Sequence, residues 1–208
     1  MNTCITAIEA DSKDPNMRHI YIDRTCVATL SVSAIETFHV SVGQPWTKEL
    51  DEQVASFKAA QHVRSIALQL LSRRAWSTQE LLQRLIKRGC EAETAGTITQ
   101  QLAEDGWLDD LSYASACIRE WIRTEPASRR FLELKLGTKG IEGDIAARAI
   151  EEELSGQCEQ DAATELATIR LAKVLTLDEQ TKRRRVIAAL QRRGFSSDVA
   201  SEAFRRAT

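Results

Sequence analysis

The chain has 208 residues, 43% of them apolar and 28% charged, so it can bury a core of its own and is neither a disordered tail nor a membrane span. Its 28 basic and 30 acidic residues leave a net charge of -2, which excludes the uniformly basic surface of a dedicated nucleic-acid module. No stretch approaches the ~20 apolar residues of a spanning helix, and Met1-Asn2-Thr3-Cys4-Ile5 lacks a basic segment leading into an apolar one; a cytoplasmic protein without membrane contact is expected.

Residues 1–46 hold most of the β-branched runs: Ile5 to Ile8, His19 to Ile22 and Cys26 to Leu30. The turn-forming stretches Asp11 to Asn16 and Asp23-Arg24-Thr25 separate them, which predicts three short strands in a small antiparallel sheet. Ser33-Ala34-Ile35-Glu36 has the pattern of a capping box, serine serving the N3 amide while glutamate reaches back, and predicts a short helix through Phe38. Gly43-Gln44-Pro45 then breaks the chain.

From Thr47 on, apolar residues recur at helical spacing almost to the end. Val63, Ile66, Ala67, Leu70 and Leu71 make one stripe, and Ser77 to Glu80 form a second capping box, with Trp76 and Leu81 placed as a hydrophobic staple. Self-comparison shows one unit three times. Gly89, Gly140 and Gly194 mark the same joint at separations of 51 and 54 residues.

Eight and four positions before each glycine stand Leu81 and Leu85, Leu132 and Leu136, Val186 and Leu190; just after come Cys90, Ile141 and Phe195. Ile98, Ile150 and Phe204 supply the next helix. The pattern describes a helix ended by a left-handed glycine, with a buried anchor beyond it. Arg88, Lys139 and Arg193 precede the glycines, where a cation suits the helix dipole and could equally touch a partner.

The expected fold is therefore mainly α: three tandem three-helix repeats forming an elongated, curved body behind a small N-terminal β-sheet. The expected divisions are residues 1–46 for the sheet region, then 47–109, 110–156 and 157–208 for the repeats.

Such a fold suits binding rather than catalysis, and no enzymatic activity, cofactor, metal or small-molecule substrate is expected. Phosphate-loop, dinucleotide, zinc-protease and serine-hydrolase motifs are absent, and Asp109-Asp110 lacks a companion carboxylate or histidine at a useful offset. Cys4, Cys26, Cys90, Cys117 and Cys158 are scattered without ligand spacing, as are His19, His39 and His62.

Glu104-Asp105-Gly106-Trp107-Leu108-Asp109-Asp110-Leu111-Ser112-Tyr113-Ala114 resembles the junction between the first and second repeats of the RecX family, regulators of the RecA recombinase. In physical terms Gly106 ends a helix, Trp107 and Leu108 insert between units, and Asp109 or Asp110 caps the next helix. Leu134 to Ile141 resembles that family's second joint, Leu190 to Ser196 its closing Leu-x-Arg-Arg-Gly-Phe-Ser, and Ala67 to Arg74 its opening Ala-Leu-x-x-Leu-x-x-Arg helix. One departure is Glu125-Pro126, where many members carry Gly-Pro.

The resemblance implies a protein that binds RecA on single-stranded DNA, lies along the filament groove and limits filament growth, ATP hydrolysis, strand exchange and co-protease activity; a monomer is expected. The candidate contacts, to acidic RecA surface or DNA phosphate, are the bunched cations: Arg73 and Arg74; Arg84, Lys87 and Arg88; Arg129 and Arg130; Lys182, Arg183, Arg184 and Arg185; Arg192 and Arg193. The alternative is a direct DNA-binding protein with helix-turn-helix-like repeats.

Overall fold

The second hairpin turns on Asp23 and Arg24, both left-handed (φ 44° and 69°), a turn whose twist matches that of the strands it joins. The computed structural model describes residues 4–208; the reading of Met1 to Thr3 lies outside the described residues. Strands β1 (Ala7–Ala10), β2 (Met17–Ile22) and β3 (Thr25–Ser31) pair antiparallel in that order. β1 starts two residues later than expected because Ile5 is engaged elsewhere: its N–H donates to Gln44 O at 2.9 Å and its carbonyl accepts from Gly43 N–H at 2.8 Å.

The sheet buries Ile5, Ile20 and Leu30 against α1 (Val32–Thr37) and against Leu50 and Val54 of α2 (Lys48–Leu71). The expected cap of α1 is corrected. Ser31, not Ser33, caps it, accepting from Ala34 N–H at 3.2 Å, while Ser33 Oγ bonds to Ser31 Oγ. β3 thus runs into the helix without a linker, and the residue that leaves the strand in extended backbone becomes the cap.

The chain divides into two units, Met1–Ser65 and Ile66–Thr208. In the second, the end of α2 is followed by α3 (Thr78–Ile86), α4 (Ala92–Glu104), α5 (Asp110–Thr124), α6 (Arg129–Thr138), α7 (Gly143–Glu153), α8 (Glu159–Leu171), α9 (Glu179–Arg192) and α10 (Ser197–Ala207). These are three helix trios. The middle helices α3, α6 and α9 bury the expected pairs Leu81/Leu85, Leu132/Leu136 and Val186/Leu190 to 1% exposure or less. Each then closes in the same way, with the N–H of Cys90, Ile141 or Phe195 returning to the carbonyl of Leu85, Leu136 or Leu190, each at 3.2 Å. That six-to-one bond requires the left-handed glycine between them, and Gly89, Gly140 and Gly194 have φ of 87°, 73° and 85°.

Six residues past each glycine lies a buried alanine: Ala95, Ala146 and Ala200. In the third trio Ala203 is also buried and Phe204 only half so, so small side chains take much of the work expected of that phenylalanine. Among the described residues no helix is long and apolar enough to cross a membrane, and no cluster of three or more His, Cys, Asp or Glu could hold a metal ion. All five cysteines are free thiols.

Candidate functional site

The C-terminal end of α2, the outer face of α3 and the α6–α7 joint enclose a groove of about 880 Å³. Five of the expected cations converge there: Arg73, Arg74, Arg84, Lys87 and Arg88, joined by Lys139 from the second repeat. Arg74 and Lys139 are committed internally. The Arg74 guanidinium lies 3.4 Å over the Trp76 ring and 3.4 Å from Glu80, and Lys139 Nζ is 2.9 Å from Glu80 Oε1. Arg73, Arg84, Lys87 and Arg88 are exposed and make no ion pair among the described residues. Four like charges lining one groove are mutually unfavourable, and an anionic partner would relieve them.

The groove exists because the second repeat's joint seats on the start of α3. Ser77 Oγ accepts from Glu80 N–H (3.1 Å) and donates to Lys139 O (2.6 Å). Glu80 was expected to turn back on its own helix. Its carboxylate instead accepts from Lys139 Nζ and from Tyr113 OH at 2.8 Å, a bridge between repeats. Asp109 caps α5, accepting from Ser112 N–H at 2.9 Å, whereas Asp110 reaches back to accept from Thr78 N–H at 2.8 Å. The acidic pair is structural, each carboxylate serving a different helix start.

Burial alone would raise the Glu80 carboxyl, but hydrogen bonds from Lys139 and Tyr113 outweigh it and hold it below the usual range. Burial and the bond to Glu80 push the Tyr113 hydroxyl well above its ordinary value. A carboxyl held low in the folded state stabilises it above the ordinary carboxylate range, and that contribution is lost as pH falls through the folded value. Glu80→Gln is therefore expected to cost about 1–2 kcal/mol near neutral pH and progressively less between about pH 5 and pH 3. Thermal melts of both proteins across that range check it; parallel curves would remove Glu80 from the bridge.

The other cations are distributed differently. Arg184, Arg185 and Arg192 line a second cleft of about 460 Å³ with Arg170 and Lys173, which sequence reasoning missed because neither lies in a basic run. Arg129 pairs with Glu151 at 2.6 Å and Lys182 with Glu179 at 2.7 Å. Arg130 and Arg183 are exposed and line neither the groove nor the cleft.

Arg193 turns inward. It donates to the carbonyls of Pro126 (3.0 Å), Trp121 (3.4 Å) and Glu125, and its guanidinium stacks 4.3 Å from the Phe131 ring centroid. Ser128 N–H donates to Arg193 O at 3.0 Å, and the Glu125 carboxylate pairs with Arg170 at 2.5 Å. The Glu125-Pro126 departure is thus part of the seam between the second and third repeats, and Ser128 still caps α6.

Comparison with known proteins agrees with this architecture. Residues 157–204 match the model for the RecX third three-helix domain and residues 64–104 the model for the first. Regulatory protein RecX of Amycolatopsis mediterranei is 32% identical over 66% of this chain and 78% of its own length. The Mycobacterium avium protein of the same name is 31% identical over 68% and 82%. A crystal structure of regulatory protein RecX covers 98% of both chains with a TM-score of 0.81 at 21% identity, and that from Lactobacillus salivarius covers 72% of this chain and 97% of its own with a TM-score of 0.61 at 19% identity; these support the fold. With matching helix trios, and relatives aligned over more than three quarters of their length, the chain belongs to the RecX family of regulatory proteins.

Proposed function

We propose that this chain binds the RecA filament on single-stranded DNA and restrains its growth and ATP hydrolysis, with the α3 groove as a principal contact. The observation that carries this reading is the set of four unpaired cations in the groove, set on a frame that two repeats build together. The third repeat's cleft, lined by Arg184, Arg185 and Arg192, supplies a second contact. Repeats joined in one chain suit a polymer: if one repeat binds at ~0.1 mM and each next sees ~1 mM effective concentration, two more add roughly 100-fold. Selectivity for filament over free RecA follows.

Direct DNA reading by helix-turn-helix entry fits less well. Such a module presents the N-terminal end of the helix after its turn to the DNA, and here the first turns of α4, α7 and α10 carry Glu93, Asp144 and Asp198, whose carboxylates oppose phosphate. The test is RecA ATP hydrolysis on single-stranded DNA, titrated with this protein. Arg84→Glu with Arg88→Glu is expected to raise the concentration needed for inhibition at least about 10-fold with unchanged helicity. Unaltered inhibition would sink the groove's role, and inhibition only through tight naked-DNA binding that falls steeply with salt would favour the DNA reading.

A further inference from the structure

The groove has an apolar neighbour. On the other side of Trp76 opens a cleft of about 650 Å³ walled by Leu68, Leu71, Ala75, Trp76, Trp107 and Ala116. Trp76 lines both openings and is fixed between them, its Nε1–H donating to Leu70 O at 3.1 Å and its ring covered by Arg74. Trp107 is 58% exposed while the adjacent Leu108 is 5% exposed. The Gly106 turn, closed by Trp107 N–H to Leu102 O at 2.8 Å, buries the leucine and leaves the larger indole standing at the cleft. A large exposed aromatic beside a mostly apolar hollow, with Ser72, Asp109 and Ser112 as its polar lining, is what a binding pocket offers.

We infer that cations and cleft form one two-part docking site for an acidic protein segment bearing a large apolar side chain. Carboxylates would pair with Arg84, Lys87 and Arg88, and the apolar side chain would enter beside Trp107. Trp76 borders both parts and Arg84 to Arg88 follow it by 8 to 12 residues along α3 and its closing turn, so roughly 12–18 Å separates them, about four to six residues of extended chain. The inference rests on the groove being a partner site and narrows the partner's chemistry.

Charge complementarity alone would also admit a nucleic-acid strand, but strand binding without sequence preference pairs backbone cations with aromatic faces open to bases. Among the described residues the groove has one aromatic wall, Trp76, and Arg74 already covers it. At the cleft stands Asp109, which hydrogen bonds from Ser112 hold ionised. A fixed carboxylate there disfavours phosphodiester and leaves an aliphatic side chain unopposed.

The test uses the full chain and four probes: a short Glu/Asp-rich peptide with one central leucine, the same peptide with serine for leucine, its Gln/Asn counterpart, and oligothymidylate. Calorimetric titration is expected to show the leucine peptide binding about 10-fold or more tightly than the serine peptide, with the Gln/Asn peptide silent. Trp107→Ser, or Ala116→Gln at the cleft rim, is expected to bring the leucine peptide down to the serine level and leave the serine peptide unchanged. Arg84→Glu with Arg88→Glu abolishes both. Equal affinity for leucine and serine peptides, or displacement of the leucine peptide by less oligothymidylate than competing peptide, overturns the inference. Restraint of RecA without leucine preference would leave the proposed function standing; leucine preference without restraint of RecA would do the reverse.

Discussion

Gly194→Val is expected to lower the stability of the helical unit by about 3–5 kcal/mol, against about 1–2 kcal/mol for Gly89→Val. Both glycines are left-handed, with φ of 85° and 87°, so the backbone penalty on a β-branched residue is common to the two. Their surroundings differ. A Cβ on Gly194 would overlap Ser128 Oγ and lie 3.0 Å from both Phe131 Cβ and Phe131 N, whereas one on Gly89 meets nothing within 4 Å. The difference, about 2–3 kcal/mol between the middles of the two ranges, is the cost of forcing the third repeat's joint off the start of α6. In thermal melts, at about 3 °C per kcal/mol for a unit of this size, it would appear as a drop of about 9–15 °C for Gly194→Val and about 3–6 °C for Gly89→Val. Equal drops would mean that the glycines serve only their own turns and that the seam is not built on them.

The same contrast explains how far the amino-acid order alone could lead. The joints were legible because a glycine four residues past a buried leucine and one before an apolar anchor satisfies a local rule, and all three turns close by the same bond. The alanines six residues past each joint were equally present in the sequence; they escape notice because alanine is helix-compatible anywhere and its burial shows only once helices pack.

Glu80 is harder. Its position three residues after Ser77 satisfies the capping-box pattern, but Tyr113 and Lys139 approach from 33 and 59 residues away and outcompete the local bond. The convergence of Arg73, Arg84, Lys87 and Arg88 with the second joint depends on the same seating. Trp107 gives a third case. An aromatic residue just past a helix-ending glycine reads as an insert between units, yet the turn delivers Leu108 inward and the indole outward.

Arg192 and Arg193 are indistinguishable in sequence and opposite in structure, and this sets the second large effect. Arg193→Met is expected to destabilise the helical unit by about 2–4 kcal/mol, with Arg193→Lys intermediate and Arg192→Met near neutral. Burial pushes the Arg193 guanidinium below its ordinary range, opposed by the Glu125 charge and reinforced by Arg170, but arginine's range lies so high that it stays charged at any working pH. Methionine keeps the stem over Phe131 and deletes the donors, which leaves the carbonyls of Glu125 and Pro126 without their partner inside the seam. A lysine brings one ammonium where a planar fork now meets several oxygens.

The functional consequence separates a seam residue from a contact residue. If Arg193 acts by holding the second and third repeats together, Arg193→Met loses restraint of RecA at 37 °C but recovers much of it at lower temperature or in a stabilising osmolyte, in step with its melting curve. Charge reversal at Arg184 and Arg192, which line the open cleft, would weaken restraint at every temperature without moving the melt. An Arg193→Met protein that melts like the parent yet fails to restrain RecA would place this guanidinium against the partner instead of the seam.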